Sequence, residues 1–168
     1  MAKNEKFGTP EPVATHLVLL ARVFDKSEGD VLEVGTGYYS TLLLHWLGTT
    51  HKRQVYSYES SNYWYQRAKR MENKYHHIVY CPSWDDIPTD KYWGMIFIDH
   101  GPNGRRIVEI ERLKDKCDYM VIHDTEPESD KGYLYNKIWP LFKYRYDYKK
   151  IMPNTTVVSN FRELNNIE

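Results

Sequence analysis

The sequence predicts a single α/β domain built on a mostly parallel sheet with helices on both faces. Short apolar runs rich in β-branched residues alternate with amphipathic helical stretches along the chain. The apolar runs are nearly continuous, which is typical of strands covered on both faces. A length of 168 residues with 41% hydrophobic content is that of one domain, so residues 1–168 are expected to form a single unit.

The first elements are a leading helix, a strand and a glycine turn. Apolar residues at helical spacing predict a helical lead-in at about residues 10–26. A short strand follows at 30–34 and enters the turn 35–37, where two glycines let the chain bend sharply. Ser40 or Thr41 is expected to cap the helix that follows.

The same unit then recurs. The further predicted strands are 54–58, 77–80, 94–98, 119–122, 144–148 and 155–158. Asn62 is expected to cap the helix after the second strand, another helix begins near Asn103 or Gly104, and a last one covers about 134–139. A tight turn at 152–154 makes the final two strands antiparallel neighbours.

Composition excludes several functional classes. Equal numbers of basic and acidic side chains, 23 of each, give no overall basic field for nucleic acid or anionic lipid. No apolar run approaches the roughly 20 residues of a membrane span. The aromatic and basic segment 63–70 is compatible with a stacking surface for nucleic acid, but an amphipathic helix with its apolar side packed is the favoured interpretation. The charged N-terminus is not followed by an apolar block, so no secretory signal is expected and the cytoplasm is the default compartment.

The most informative run lies at residues 30–41, where strand, glycine turn and helix start follow one another. Glycines let a ligand approach the backbone, and the free amides of a helix start receive a carboxylate or phosphate. In a doubly wound sheet, ligands bind at this edge. Glu59 ends the second strand, where a carboxylate accepts hydrogen bonds from both ribose hydroxyls of a nucleoside ligand.

The run from Glu33 through Gly35 and Gly37 resembles motif I of class I S-adenosylmethionine-dependent methyltransferases, with Tyr39 where the third glycine is usual. The resemblance implies a Rossmann-like, seven-stranded sheet with an antiparallel terminal strand, and S-adenosylmethionine as cofactor. It places the amino acid part of the donor on the glycine turn, the ribose on Glu59, and the adenine against Trp84. The implied cofactor-binding residues are Glu33, Gly35, Gly37, Tyr39, Ser40, Glu59, Ser83, Trp84 and Asp85.

Acids and imidazoles end the fourth and fifth strands, at the same sheet edge. In one interpretation Asp99 and Asp124 hold a divalent metal such as Mg²⁺, assisted by Glu126 or His100, which resembles the metal-dependent O-methyltransferases. In the other, His100 or His123 is a general base for the acceptor. Both interpretations remain open, and the predicted catalytic residues are Asp99, His100, His123 and Asp124.

The predicted activity is methyl transfer from S-adenosylmethionine to a small-molecule acceptor, since the chain leaves little sequence for a separate acceptor domain. Two alternatives remain: cleavage of the donor by lyase or hydrolase chemistry, and a non-catalytic ligand-binding module. Alternating tyrosines at 144–148 leave a homo-oligomer contact open. The other histidines, His16 included, show no metal-ligand spacing and are interpreted as ordinary surface or partly buried residues.

Overall fold

The structure is a computed structural model that describes residues 14–165 and residue 167. Within them, seven strands form one sheet: β1 (Val31–Val34), β2 (Val55–Glu59), β3 (His76–Tyr80), β4 (Trp93–Ile98), β5 (Cys117–His123), β6 (Tyr144–Tyr148) and β7 (Thr155–Ser159). All seven predicted strands are confirmed, with ends that shift by no more than two residues.

The sheet has the order β3-β2-β1-β4-β5-β7-β6. Strands β1 to β5 are parallel, and β7 is antiparallel to both of its neighbours, which confirms the predicted terminal pair. The chain steps from β1 to β2 and β3 on one side, then crosses to β4 on the other. This switch in strand order leaves a crevice beyond the carboxyl ends of β1 and β4.

Helices cover both faces of the sheet. They are α1 (Leu17–Lys26), α2 (Ser40–His51), α3 (Asn62–Ala68), α4 (Arg106–Leu113) and α5 (Asp130–Tyr133). Leu19 of α1 and Leu44 of α2 pack into the core on one face, and Ile110 of α4 packs into the core on the other. The first part of the predicted lead-in, at 10–13, lies outside the described residues. None of the helices described is long and apolar enough to cross a membrane.

Two predicted helix caps are wrong. Tyr39 holds the cap position of α2, while the hydroxyls of Ser40 and Thr41 lie in the first turn and face the buried Glu33. Asn62 is the first residue of α3, and Ser61 precedes it without a side-chain cap. Ser40 and Thr41 bond to Glu33, and the Asn62 side chain accepts a hydrogen bond from Gln66 one turn further along α3, so none of the three caps the helix end.

The predicted helix at 134–139 is also wrong. The short helix α5 ends at Tyr133, and the next residue, Leu134, has a left-handed φ of 61° that stops a right-handed helix. Two single 3₁₀ turns follow, Tyr135–Lys137 and Trp139–Leu141. Pro140 lies in the second turn and lacks a backbone donor, which prevents an α-helix from continuing there.

Candidate active site

The turn after β1 passes directly over the end of β4. Gly35 has a φ of +90°, and its amide donates a hydrogen bond to the carbonyl of Tyr58 at 2.9 Å. A Cβ at Gly35 would lie 2.7 Å from the Cα of His100 and 2.8 Å from the carbonyl oxygen of Asp99. The two backbones therefore meet only because no side chain separates them. Gly37 differs, since its Cβ would meet nothing closer than the Ser40 hydroxyl at 3.6 Å.

A cavity of about 460 Å³, called the larger cavity below, opens beside this turn. Thr36, Glu59, Trp64, Trp84 and Asp99 are among the residues that line it. Thr36, Glu59 and Asp99 lie at or just after the ends of β1, β2 and β4, Trp64 lies on α3, and Trp84 lies in the segment after β3. The volume lies within the range of about 300–1,000 Å³ typical of small-molecule sites.

Glu59 joins two loops at the mouth of the larger cavity. One carboxylate oxygen accepts hydrogen bonds from the amide and hydroxyl of Thr36, both at 2.8 Å, and the other accepts from the amide of Ser61 at 2.7 Å. A carboxylate offers about four acceptor positions, so Glu59 retains capacity for a ligand hydroxyl. Glu59 is the last residue of β2, as predicted from the sequence.

Of the three residues predicted to contact adenine, Trp84 alone lines the larger cavity. Its indole nitrogen donates to the carbonyl of Gly101 at 2.9 Å, which fixes the ring. Ser83 accepts a hydrogen bond from the amide of Asp85, and the Asp85 carboxylate, 70% exposed, accepts one from Arg105 at 2.6 Å. Ser83 and Asp85 thus form hydrogen bonds with neighbouring residues and do not line the larger cavity.

Glu33 is fully buried and supports the glycine turn from below. Ser57 donates to one carboxylate oxygen at 2.5 Å, and Thr41 donates to the other at 3.1 Å. The Thr41 oxygen also accepts the amide of Gly37 at 2.9 Å. Glu33 therefore acts on the turn through Thr41 and does not line the larger cavity.

Burial raises the pKa of Glu33 to about 7, against the opposing hydrogen bonds from Ser57, Ser40 and Thr41. Because the pKa of Glu33 is higher in the folded than in the unfolded state, the folded state holds an extra proton. The stability from that proton is lost as pH rises from the ordinary glutamate pKa of 4.5 to about 7. We expect a Glu33→Gln variant to gain stability relative to wild type across this interval, by on the order of 2–3 kcal/mol.

Urea unfolding at about pH 5 and about pH 8 measures this difference. Comparison with Glu33→Gln removes the opposite contribution of His76, whose pKa burial lowers to about 3. The exposed Glu111→Gln serves as the matched control. An unchanged difference between Glu33→Gln and wild type at the two pH values would contradict the raised pKa.

Arg106 joins the two predicted catalytic carboxylates. Its guanidinium donates to Asp99 at 2.8 Å, to Asp124 at 3.1 Å, and to the carbonyls of His100 and His123 at 2.7 and 3.2 Å. A cation bridging Asp99 and Asp124, as the sequence predicts, would meet this guanidinium. The geometry therefore does not favour that carboxylate pair as a metal site.

The two predicted histidine bases differ in position. The side chain of His100 has no exposed surface and pairs with Glu109 at 3.1 Å, and burial lowers its pKa. His123 faces the carboxylates, with Nδ1 at 3.3 Å from Asp99 and 3.4 Å from Asp124. His100 lines the larger cavity, but its imidazole pairs with Glu109 on α4. His123 lines neither cavity and reaches the candidate site through Asp99, so it is the better placed of the two to exchange a proton there.

Glu126, predicted to assist a metal, is also engaged elsewhere. Its carboxylate accepts hydrogen bonds from the Ser129 hydroxyl and, at 3.0 Å, from the amide of Asn154. These contacts direct Glu126 toward the loops after β5 and before β7. It is not among the residues that line the two cavities.

A second cavity of about 310 Å³, called the smaller cavity below, adjoins the larger one at Trp64 and Asp99. Gly37, Tyr39 and Ser40 line it, as does His16, which immediately precedes α1. His16 is only 2% exposed, and burial lowers its pKa to about 4. The sequence interpretation of His16 as an ordinary residue missed its place in the site, because no local spacing links it to β4 and β5.

The sheet order, the switch between β1 and β4, and a ligand-sized cavity at that switch together define a Rossmann-like α/β protein with its site at the carboxyl edge. The sequence matches no protein-family model and no curated protein. Comparison with solved structures places the fold more narrowly.

Three solved structures illustrate the likeness. An O-methyltransferase from Bacillus cereus in complex with SAH has a TM-score of 0.65 and 14% identity, over 90% of this chain and 82% of that chain. The N-terminal domain of human METTL16 in complex with SAH has a TM-score of 0.62 and 13% identity, over 92% of this chain and 72% of that chain. Cofactor-bound Rv0187 from MTB has a TM-score of 0.64 and 14% identity, over 94% of this chain and 84% of that chain. The chain therefore has the Rossmann-like fold of class I methyltransferases, which confirms the predicted fold class and resemblance.

Proposed function

We propose that the protein binds S-adenosylmethionine in the larger cavity and transfers its methyl group to a small acceptor in the smaller cavity. The observation that carries this proposal is the position of Glu59, which ends β2 and faces a ligand-sized cavity beside the Gly35 turn. Solved neighbours of the same fold are described as bound to SAH, which supports the choice of donor.

In this proposal each part of the donor has a recognition group. The three amides of the turn 35–37 already donate to Tyr58, Glu59 and Thr41, so the free amides at the start of α2 receive the carboxylate of the amino acid part. Glu59 accepts a hydrogen bond from a ribose hydroxyl, and Trp84 borders the adenine. Asp99 lines both cavities, so it lies where donor and acceptor meet. Transfer is an in-line displacement for which alignment of the methyl carbon and the acceptor atom is the main requirement.

We expect Glu59→Gln to weaken S-adenosylmethionine binding about 100-fold, because a ribose hydroxyl loses a charge-assisted hydrogen bond worth roughly 1.5–3 kcal/mol. Isothermal calorimetry with S-adenosylmethionine and SAH measures the affinity. Asp85→Asn is the matched control and is expected to change the affinity less than about twofold, since the exposed Asp85 does not line the cavity.

Failure of the folded wild-type protein to bind either nucleoside would refute the proposed donor. An equal loss of affinity in Asp85→Asn and Glu59→Gln would contradict the assigned ribose contact. Product analysis then tests the transfer itself: SAH formed only with an added acceptor supports it, while methylthioadenosine or homoserine lactone formed without an acceptor would show donor cleavage.

A further inference from the structure

Two imidazoles and a carboxylate converge beside the smaller cavity. They are His16 before α1, Asp99 after β4 and His123 at the end of β5, and one ligand atom of each lies within 4.8 Å of those of the other two. These residues are remote in sequence and come from three separate elements. The protein holds them together with both imidazoles buried, so their juxtaposition requires a physical reason.

The proton on His123 can be assigned from its neighbour. The Thr15 hydroxyl donates to the carbonyl of Pro153 at 2.6 Å, so its oxygen accepts from Nε2–H of His123 at 3.1 Å. In neutral His123, Nδ1 then carries a lone pair that faces carboxylate oxygens of Asp99 and Asp124. A lone pair opposed to two anionic oxygens is repulsive, and either a proton on Nδ1 or a metal ion between these atoms removes that repulsion.

His16 gives an independent observation. Both of its ring nitrogens are buried, and neither has a hydrogen-bond partner within residues 14–165 or at 167. Buried polar side chains almost always have a partner, and each exception calls for an explanation such as an ion. His16 lines the smaller cavity together with Asp99, and one of its ring nitrogens lies within 4.8 Å of the ligand atoms of Asp99 and His123.

The surrounding charge favours a cation. Asp99 and Asp124 contribute two negative charges, and Arg106 balances one of them. Arg106 binds the Oδ1 atom of Asp99, which leaves Oδ2 directed toward His123. The Thr15 hydroxyl therefore holds the His123 ring, and Arg106 holds the Asp99 carboxylate. Hydrogen bonds of this kind, made by residues that do not touch the metal, orient metal ligands in proteins.

We propose that His16, Asp99 and His123 bind a divalent first-row transition-metal ion such as Zn²⁺, with open coordination positions toward the smaller cavity. Imidazole nitrogens favour Zn²⁺, Co²⁺ or Fe²⁺ over Mg²⁺, which prefers oxygen ligands. The site uses only one carboxylate of the Asp99 and Asp124 pair, because Arg106 occupies the space between those two. An oxygen or nitrogen atom of a small molecule is the ligand that the open positions would take.

The first test titrates metal-free wild-type protein with Zn²⁺, Co²⁺ and Mg²⁺ by isothermal calorimetry, with visible absorption recorded for Co²⁺. We expect one Zn²⁺ ion per chain, Co²⁺ ligand-field bands, and weaker binding of Mg²⁺. Absence of Zn²⁺ and Co²⁺ binding to folded protein, or tighter binding of Mg²⁺ than of Zn²⁺, would overturn the proposal.

The second test compares variants. His16→Phe keeps an aromatic ring against Phe97, 4.9 Å away, but removes both ligand nitrogens. We expect its Zn²⁺ affinity to fall by more than the roughly 10–100-fold cost of losing an outer partner. The matched control is His51→Ala, which removes an exposed imidazole on α2 and is expected to bind Zn²⁺ like wild type.

A rise in melting temperature on Zn²⁺ addition, present in wild type and absent in His16→Phe, gives a readout independent of activity. Equal Zn²⁺ affinity in His16→Phe and wild type would overturn the ligand assignment. S-adenosylmethionine binding is measured separately on metal-free protein, so failure of the metal site and failure of the proposed donor site are distinguishable.

Discussion

Replacing Gly35 by alanine is expected to destabilise the protein by about 2–5 kcal/mol and to abolish donor binding. The φ of +90° is strained for any residue with a Cβ, and the added atom would overlap the backbone of Asp99 and His100 at 2.7–2.8 Å. Since the neighbours are backbone atoms at the end of β4, relief requires the two strand ends to separate. That separation would open the crevice that the donor is proposed to fill.

Gly37→Ala is the matched control for this prediction. Its Cβ would make an ordinary contact with the Ser40 hydroxyl at 3.6 Å, so we expect a stability change below about 1 kcal/mol. A fall in donor affinity in folded Gly37→Ala would therefore report a ligand close to the turn. Urea unfolding and calorimetry measure the two quantities. Wild-type stability in Gly35→Ala would contradict the close approach seen here.

The fold was predictable because its signals are local. Continuous apolar runs mark strands covered on both faces, and the turn at 152–154 is enough to make β6 and β7 antiparallel. The strand-end position of Glu59 follows from the same reasoning. What failed was also local in origin: the helix predicted at 134–139 has suitable side chains, but Leu134 and Pro140 interrupt the backbone.

The site was only partly predictable, because its central contacts are long-range. His16 lies 83 positions before Asp99 in the numbering, and only the folded sheet brings the two together. Arg106 looks in sequence like a basic residue at a helix start, where the helix dipole disfavours it. The structure supplies the missing reason, since two carboxylates and two strand-end carbonyls surround its guanidinium.

That arrangement makes Arg106 the side chain on which the site depends most. Its guanidinium ties the end of β4 to the end of β5 and also stacks on the Tyr133 ring, 4.6 Å from the centroid. Without it, Asp99 and Asp124 would face each other with their mutual repulsion uncompensated. Arg106 therefore both neutralises the carboxylates and holds the two strand ends in place. Replacement by lysine, which keeps the charge, and by methionine, which does not, distinguishes these two roles.

We expect Arg106→Met to lower the free energy of unfolding by about 3 kcal/mol, the lower end of the cost of unpairing buried charges, because the carboxylate side chains keep 20–23% exposure. Arg106→Lys restores the charge but not the planar set of donors, so its loss should be intermediate. Exposed Arg70→Met, the control, should change stability by less than about 0.5 kcal/mol. Urea unfolding of the three variants measures this order, and equal losses for Arg106→Met and Arg70→Met would show that Arg106 does not hold the two strand ends together.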